Sequence, residues 1–524
     1  MNKKLFLFAV LLFAGALAFC QKYRIQSVSY AVTGCGWKIC PPTTEYNIAR
    51  KIRINYSKVF ETSQDLETYV QKYEQQLYNL RQFALIDIKI HGDTFDQDID
   101  YYYEDENRVI PVNLEVTLAD SFHFVAIPFF KYNSNTGSVF QLKLVDTNFL
   151  GTLNKLDSDL FFQIKPEDDG SKSNIIGANI KYDYPFKAGI FDASWTNLHT
   201  FSYTFGNSSP EFNLRTGIKL ELPKDNYSFE WEAAHSFVKN LEYQKFNDSF
   251  YMQEFAQFAV PVHIYELDAF NFINYKPYIN FTYNWDFDGI NAMNAEILSP
   301  AMEIGHSIYA DNFDWFNQFR NGYSFELTNG YNYNFERQLL NPYIKLDTKL
   351  FKAYENIGFT SNFLYFISFI QKDNQFFCYD GFKIGERLRG VKDTMEYNAG
   401  AYKGNCALIE YSAIVLNLDM PIKLFRTKFA DGIMEKLNFE LQFAPFIDIA
   451  LTYNKFTGEW YNPKDGFYCA GFEVLVYPVK WKSFVVRGSL GIDIGSTLLK
   501  NQLNTQWRES VSKYEISFGI GLMY

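Results

Sequence analysis

From about residue 120 to the end of the chain, apolar and polar side chains alternate in short runs parted by Asn, Asp, Gly and Ser. Ile279, Phe281, Tyr283, Trp285 and Phe287 share one face, with Asn280, Thr282, Asn284, Asp286 and Asp288 on the other. Phe229, Trp231 and Ala233 against Glu230 and Glu232 repeat the pattern. So does the final stretch, where Tyr514, Ile516, Phe518, Ile520, Leu522 and Tyr524 oppose Glu515, Ser517, Gly519, Gly521 and Met523. A period of two sends successive side chains to opposite faces of a strand. For the stretch 120–524, about 25 residues per strand with its turn and loop predict about 16 antiparallel strands.

Residues 22–119 follow another rhythm. Tyr23 to Val32 reads as a strand and Thr44 to Ile54 as a short helix. Thr62, Ser63 and Asp65 offer cap chemistry to a longer helix whose apolar residues Leu66, Tyr69, Val70, Tyr73, Leu77, Leu80 and Phe83 recur every three or four positions. Strands over Leu85 to Ile90 and Ile110 to Leu118 follow, parted by the acidic insert Asp93 to Asn107. The order β-α-α-β-β predicts a small α+β module, with one sheet and two helices on a face.

Composition decides what kind of sheet the alternation builds. Phe (53), Tyr (38) and Trp (8) make the chain 19% aromatic, more than a soluble sandwich needs. Membrane barrels use such residues in girdles at both interfaces and keep a polar inner face. After the N-terminus no run of about 18 apolar residues occurs, and mean hydropathy is -0.21, so a bilayer would have to be crossed by strands. With 60 acidic against 49 basic side chains and a net charge of -11, binding to nucleic-acid phosphates is excluded as a main role.

Residues 1–20 have the form of a secretory signal: Lys3 and Lys4, an apolar stretch from Leu5 to Ala18, and Ala16 and Ala18 at the cleavage spacing. Phe19 is bulky where acylation of Cys20 would need a small residue. In an oxidising compartment Cys35 with Cys40, and Cys378 with Cys406, form either two disulfides or four free thiols. His91, His123, His199, His235, His263 and His306 show no metal-ligand spacing, so no metal is expected.

Four segments carry a resemblance to a known family. Leu66 to Ile90, with Leu77-Tyr78-Asn79-Leu80-Arg81-Gln82-Phe83, resembles the second helix and following strand of a POTRA module. Asp146 to Thr152 resembles a turn near the start of a barrel. Arg387-Leu388-Arg389-Gly390 is similar to a Val/Leu-Arg-Gly-aromatic motif at the tip of a loop that folds back into the lumen, and Phe446 to Ala450 to a wall motif whose aspartate faces inward. Together they resemble the BamA/TamA-type outer-membrane assembly factors. Val391 replaces the usual aromatic and Ala450 the usual glycine, and only one POTRA-like module is evident.

The resemblance implies a signal peptide (1–20), a POTRA-like periplasmic domain (21–119) and an all-β transmembrane barrel (120–524) in the bacterial outer membrane. It implies a latch in a wide, hydrated lumen, in which Arg389 at the loop tip is tied to Asp448 on the wall and Gly390 allows close approach. Glu386 and Arg387 either add to this network or point into water, and water is the favoured reading. It also implies a lateral seam between first and last strands, weakened at Gly519 and Gly521 and ending on Tyr524, where incoming strands pair. The expected partners are unfolded outer-membrane proteins, accessory lipoproteins at the POTRA-like domain, and outer-membrane lipid. A polypeptide-secreting pore of the two-partner type and a passive porin are the alternatives. No nucleophile elbow, zinc-protease helix, phosphate loop or dinucleotide fingerprint occurs, so neither an enzyme nor a cofactor is expected.

Overall fold

The computed structural model describes residues 22–520 apart from 37–40, 93–108, 134–136, 167–170, 208, 241–249, 288–297, 370–380, 392–393, 400–401, 431–436, 455–456, 505–507 and 511–512. The signal segment, the acidic insert, Cys40, Cys378, Gly521 and Tyr524 therefore lie outside the described residues. The chain divides into two compact units, 1–121 and 122–524.

In the first unit, β1 (Lys22–Thr33), α1 (Glu45–Lys51), α2 (Ser63–Asn79), β2 (Phe83–His91) and β3 (Val109–Asp120) follow in that order. The central strand β3 runs parallel to β1 and antiparallel to β2. Its Ile110, Val112, Leu114, Val116 and Leu118 are all buried, as alternation on one face requires. A capping box starts α2: Thr62 Oγ1 accepts from the Asp65 backbone N (3.1 Å), and Asp65 Oδ2 accepts from the Thr62 N (3.1 Å). The helix buries Leu66, Tyr69, Val70, Tyr73 and Leu77, the residues that share one face at a 3.6-residue period.

The second unit is one large antiparallel sheet. Its strands are β4 (Phe124–Asn133), β5 (Gly137–Asp146), β6 (Leu156–Pro166), β7 (Lys172–Ala188), β8 (Phe191–Thr204), β9 (Glu211–Pro223) and β10 (Ser228–Lys239). Then come β11 (Phe250–Ala259, continued as Val262–Glu266), β12 (Phe272–Trp285), β13 (Ala301–Phe316), β14 (Phe319–Asn334), β15 (Leu339–Ala353) and β16 (Gly358–Ser368). The last five are β17 (Ser412–Asp419, continued as Ile422–Arg426), β18 (Phe439–Thr452), β19 (Phe467–Pro478), β20 (Val486–Asp493) and β21 (Tyr514–Ile520). Pro261 and Pro421, which lack an N–H, sit at the two interruptions. Each strand pairs with the next and β21 returns to β4, so the order closes as a barrel.

Counting each interrupted strand once gives eighteen strands among the described residues, not about sixteen. The turns at one rim are shorter than the estimate allowed. Only Gly189 and Ile190 separate β7 from β8, and only Asn317 and Gln318 separate β13 from β14. Gly189 and Asn317 take φ of +61° and +57°, the left-handed conformations tight hairpins need.

The two faces of the sheet differ as the alternation requires. Leu160, Trp195, Ile218, Phe281, Leu327 and Ile447, from six strands, are exposed on the outside. Inside, Gln253 donates to Asn284 (2.9 Å), Gln257 donates to Asn280 (2.8 Å), and Lys276 pairs with Glu230 (2.7 Å). Among the described residues no helix is long and apolar enough to cross a membrane. In lipid vesicles, Phe281→Arg on the outer face is expected to lower folding stability by about 2–4 kcal/mol. The same charge at the neighbouring inner position, Thr282→Arg, is expected to cost far less. Urea midpoints of the two variants check the difference, and equal losses would contradict the assignment of faces.

Candidate functional site

The long connection between β16 and β17 turns back inside the barrel. It is held at its base by Phe382–Lys383 pairing with Ile409–Glu410. Ile384, Leu388 and Val391 then sink into a buried cluster with Leu364, Val415, Ala450 and Cys469 of the wall. The aliphatic Val391 thus fills the place where the resembled motif has an aromatic.

The wall beneath the tip is an inward-facing grid set by strand register. Asn362, Asn417, Asp448, Cys469 and Asp493 lie opposite one another across β16 to β20. One step along, Thr360, Asp419, Phe446, Gly471, Gly491 and Glu515 form a parallel row reaching β21. Asp448 and Phe446 share a face because they are two residues apart.

Arg389 meets this grid at every donor. Its Nε donates to Asp448 Oδ2 (3.0 Å) and its Nη2 to Oδ1 (2.6 Å), the planar fork that a carboxylate accepts. Its backbone N donates to the same Oδ2 at 2.9 Å. Nη1 donates to Asp419 and, at 3.3 Å, to Glu473 Oε1. The guanidinium carbon lies 3.6 Å from the centroid of the Phe446 ring, within cation–π range. Asn417 Nδ2 donates both to Asp448 Oδ1 (2.9 Å) and to the Arg387 carbonyl (2.7 Å), so the wall holds the loop backbone as well.

Arg389 is 3% exposed and Asp448 0%. The Arg389–Asp448 fork is therefore shielded from solvent rather than set in a hydrated lumen, because the loop itself and Phe446 cover it. Three carboxylates face Arg389, and Arg487 shares Glu473 at 3.0 Å. The cluster thus carries one formal negative charge in excess when all its groups are ionised. Arg387, for which water is the favoured reading, donates instead to Asp347 Oδ2 (2.7 Å) on β15, the strand paired with β16. The Glu386 side chain lies outside the described residues.

Gly390 has φ +103°, and a Cβ there would lie 2.6 Å from the Ile492 backbone N. A Cβ on Gly491 would come within 2.7 Å of the Arg389 carbonyl. The tip and β20 therefore touch backbone to backbone. Gly471 matches this by leaving room for the Phe446 ring, whose Cζ would be 2.6 Å from a Cβ at 471. The Gly390 N also points at Glu515 Oε2 on β21, 3.4 Å away.

At the other predicted site, β21 and β4 meet at one ladder pair among the described residues, Ile516 opposite Tyr132. The preceding pair, β20 with β21, is in register from Val486 opposite Ile520 to Ile492 opposite Tyr514. A Cβ at Gly519 would meet no described atom within 4 Å. The turn Asp146 to Thr152 joins β5 to β6. There Asp146 Oδ1 accepts from the Asn148 N (2.9 Å) and pairs with the buried His123 at Nδ1 (2.5 Å). Cys35 is a free thiol, and the side chain of Cys406 lies outside the described residues. Among the described residues no cluster of His, Cys, Asp and Glu is arranged to hold a metal ion.

Asp419, Glu473 and the stacking role of Phe446 had no individual forecast. Glu473 carried a usable signal, as the lone acid in Phe-Tyr-Cys-Ala-Gly-Phe-Glu-Val-Leu-Val-Tyr. Arg389→Ala would leave Asp448 buried without its fork and is expected to cost about 3–5 kcal/mol. Arg389→Lys, which keeps the charge but not the planar fork, should recover part of that loss. Denaturant midpoints of the detergent-folded chain measure both, and an unchanged Arg389→Ala midpoint would show that the latch adds no stability.

No protein-family profile matches the sequence, and no curated protein does. Among solved structures, the chain is similar to BamA from Haemophilus ducreyi lacking POTRA domains 1-3, at 11% identity and a TM-score of 0.40, covering 94% of this chain and 84% of that one. It is similar to CdiB from Acinetobacter baumannii at 10% identity and a TM-score of 0.44, covering 95% and 73%. For CdiB from Escherichia coli the values are 7% and 0.37, with 95% and 90% covered.

Proposed function

We propose that this protein is a bacterial outer-membrane barrel of the assembly or insertion type, which helps other barrel proteins fold through the seam between β4 and β21. The observation that carries the reading is that seam, where the described residues make one ladder pair in an otherwise long-registered sheet. Backbone groups left unpaired in hydrocarbon are costly, so a sparsely paired edge favours any strand that completes it. Three further features support the reading. The apolar outer face suits lipid, the latched loop occupies the lumen as no passive porin requires, and β4 begins at the rim where β21 ends. The N-terminal unit is assigned as a single POTRA-like module in the periplasm, since its β-α-α-β-β order has the expected form. Unfolded outer-membrane proteins are the proposed substrates, with accessory lipoproteins docking on that module. We assign no enzymatic activity and no cofactor.

Depletion of the protein is expected to lower the amounts of other outer-membrane barrels. Loss of a single secreted polypeptide, with barrel levels unchanged, would point instead to a two-partner secretion pore. The seam is tested directly by Tyr132→Cys with Ile516→Cys. A disulfide between these register partners should abolish barrel assembly, with recovery on reduction. Full activity in the crosslinked protein would overturn the seam mechanism.

A further inference from the structure

The lumen is obstructed a second time, beside the Arg389 latch but through different contacts. β13 and β14 are bent at Gly322, whose φ is +128° and where a Cβ would lie 2.2 Å from the Asn312 carbonyl oxygen. The rings of Phe313 and Phe351, the register partners of Gly322 on either side, lie 5.4 Å apart across this gap. Beyond the bend the hairpin tip is turned inward. Trp315 packs on a buried cluster of Ala444, Leu475, Tyr477 and Val485. Phe319 is 3% exposed and rests on Gly358, where a Cβ would meet its ring at 2.7 Å. The Arg320 guanidinium carbon lies 4.0 Å from the Phe351 ring centroid.

These contacts need a path across the interior. Five strand spacings separate β13 from β18, about 24 Å of wall at ~4.8 Å each. Trp315 can join residues of β18 and β19 only along a chord of the barrel. Between the tip and the latch remains a cavity of about 50 Å³, lined by Trp315 and Arg320 on one side and by the latch acids Asp419 and Glu473 on the other. That is room for a few waters.

We infer that the Trp315–Arg320 hairpin tip is a second, independent closure of the lumen, so that freeing the Arg389 loop alone leaves the barrel shut. The closure rests on the membrane-spanning reading of the barrel but not on what its substrate is. It is anchored by aromatic packing on one glycine bend, whereas the latch is anchored by charge, so the two respond to different perturbations.

The full-length chain in planar bilayers tests this with three variants. One replaces residues 381–391 by a Gly-Ser linker, one carries Trp315→Ala, Phe319→Ala and Arg320→Ala, and one combines both changes. Conductance should stay near that of the unmodified protein in the first two and rise severalfold in the third. A linker variant that conducts as well as the combined one, or a combined variant no leakier than the parent, would overturn the inference. Heat-modifiable gel migration reports whether each barrel is folded. If the alanine variant does not fold, Trp315→Cys with Leu475→Cys provides the second readout: a thiol-specific bismaleimide long enough to replace the indole should join the two, and failure to crosslink in the folded protein would refute the placement. If no variant enters lipid at all, the membrane reading fails, while the crosslink still decides where the tip lies.

Discussion

A guanidinium taken out of water must be paired, and the interior of this barrel is arranged around that requirement. Arg389 uses its backbone N–H and its side-chain fork on Asp448 and spends its remaining donor on Asp419 and Glu473. Removing one partner of such a buried pair costs more than the pair itself contributes, because the survivor stays desolvated. The arrangement therefore specifies position more than it adds stability. A loop that reached the wall anywhere else would leave three carboxylates facing each other with only Arg487 among them. The apolar residues near Arg389, Leu388 and Val391, supply the burial that shields the Arg389–Asp448 fork.

The same wall that receives the loop is built from small residues at chosen points. Gly471 and Gly491 face the lumen at neighbouring register positions and clear space for the Phe446 ring and the loop backbone. The rest of the barrel solves a different problem, keeping apolar side chains outward and amide ladders such as Gln253 with Asn284 inward. Both halves obey one alternation, and from β16 to β19 the returning loop covers the inner face.

Much of this was legible in the chain before folding. The Thr62 and Asp65 cap, the buried stripe of α2 and the outward run Ile279, Phe281 and Tyr283 all follow from local period, because those features are decided by residues a few positions apart. Arg389 and Asp448 were singled out by likeness to known motifs. Their other partners were not, since Asp419 and Glu473 lie on the two strands flanking Asp448 and come near only through strand register. Strand number was underestimated for a related reason. The estimate assumed an average loop, whereas Gly189 with Ile190, and Asn317 with Gln318, turn the chain in two residues. The inward bend at Gly322 had no local signal beyond the glycine itself.

The hydrogen bond from Gly390 to Glu515 joins the loop tip to the very strand that borders the sparsely paired edge. Internal plug and outermost stave are thereby placed in mechanical series: a pull that draws the tip off β20 is passed to β21, and a displacement of β21 is passed back to the tip.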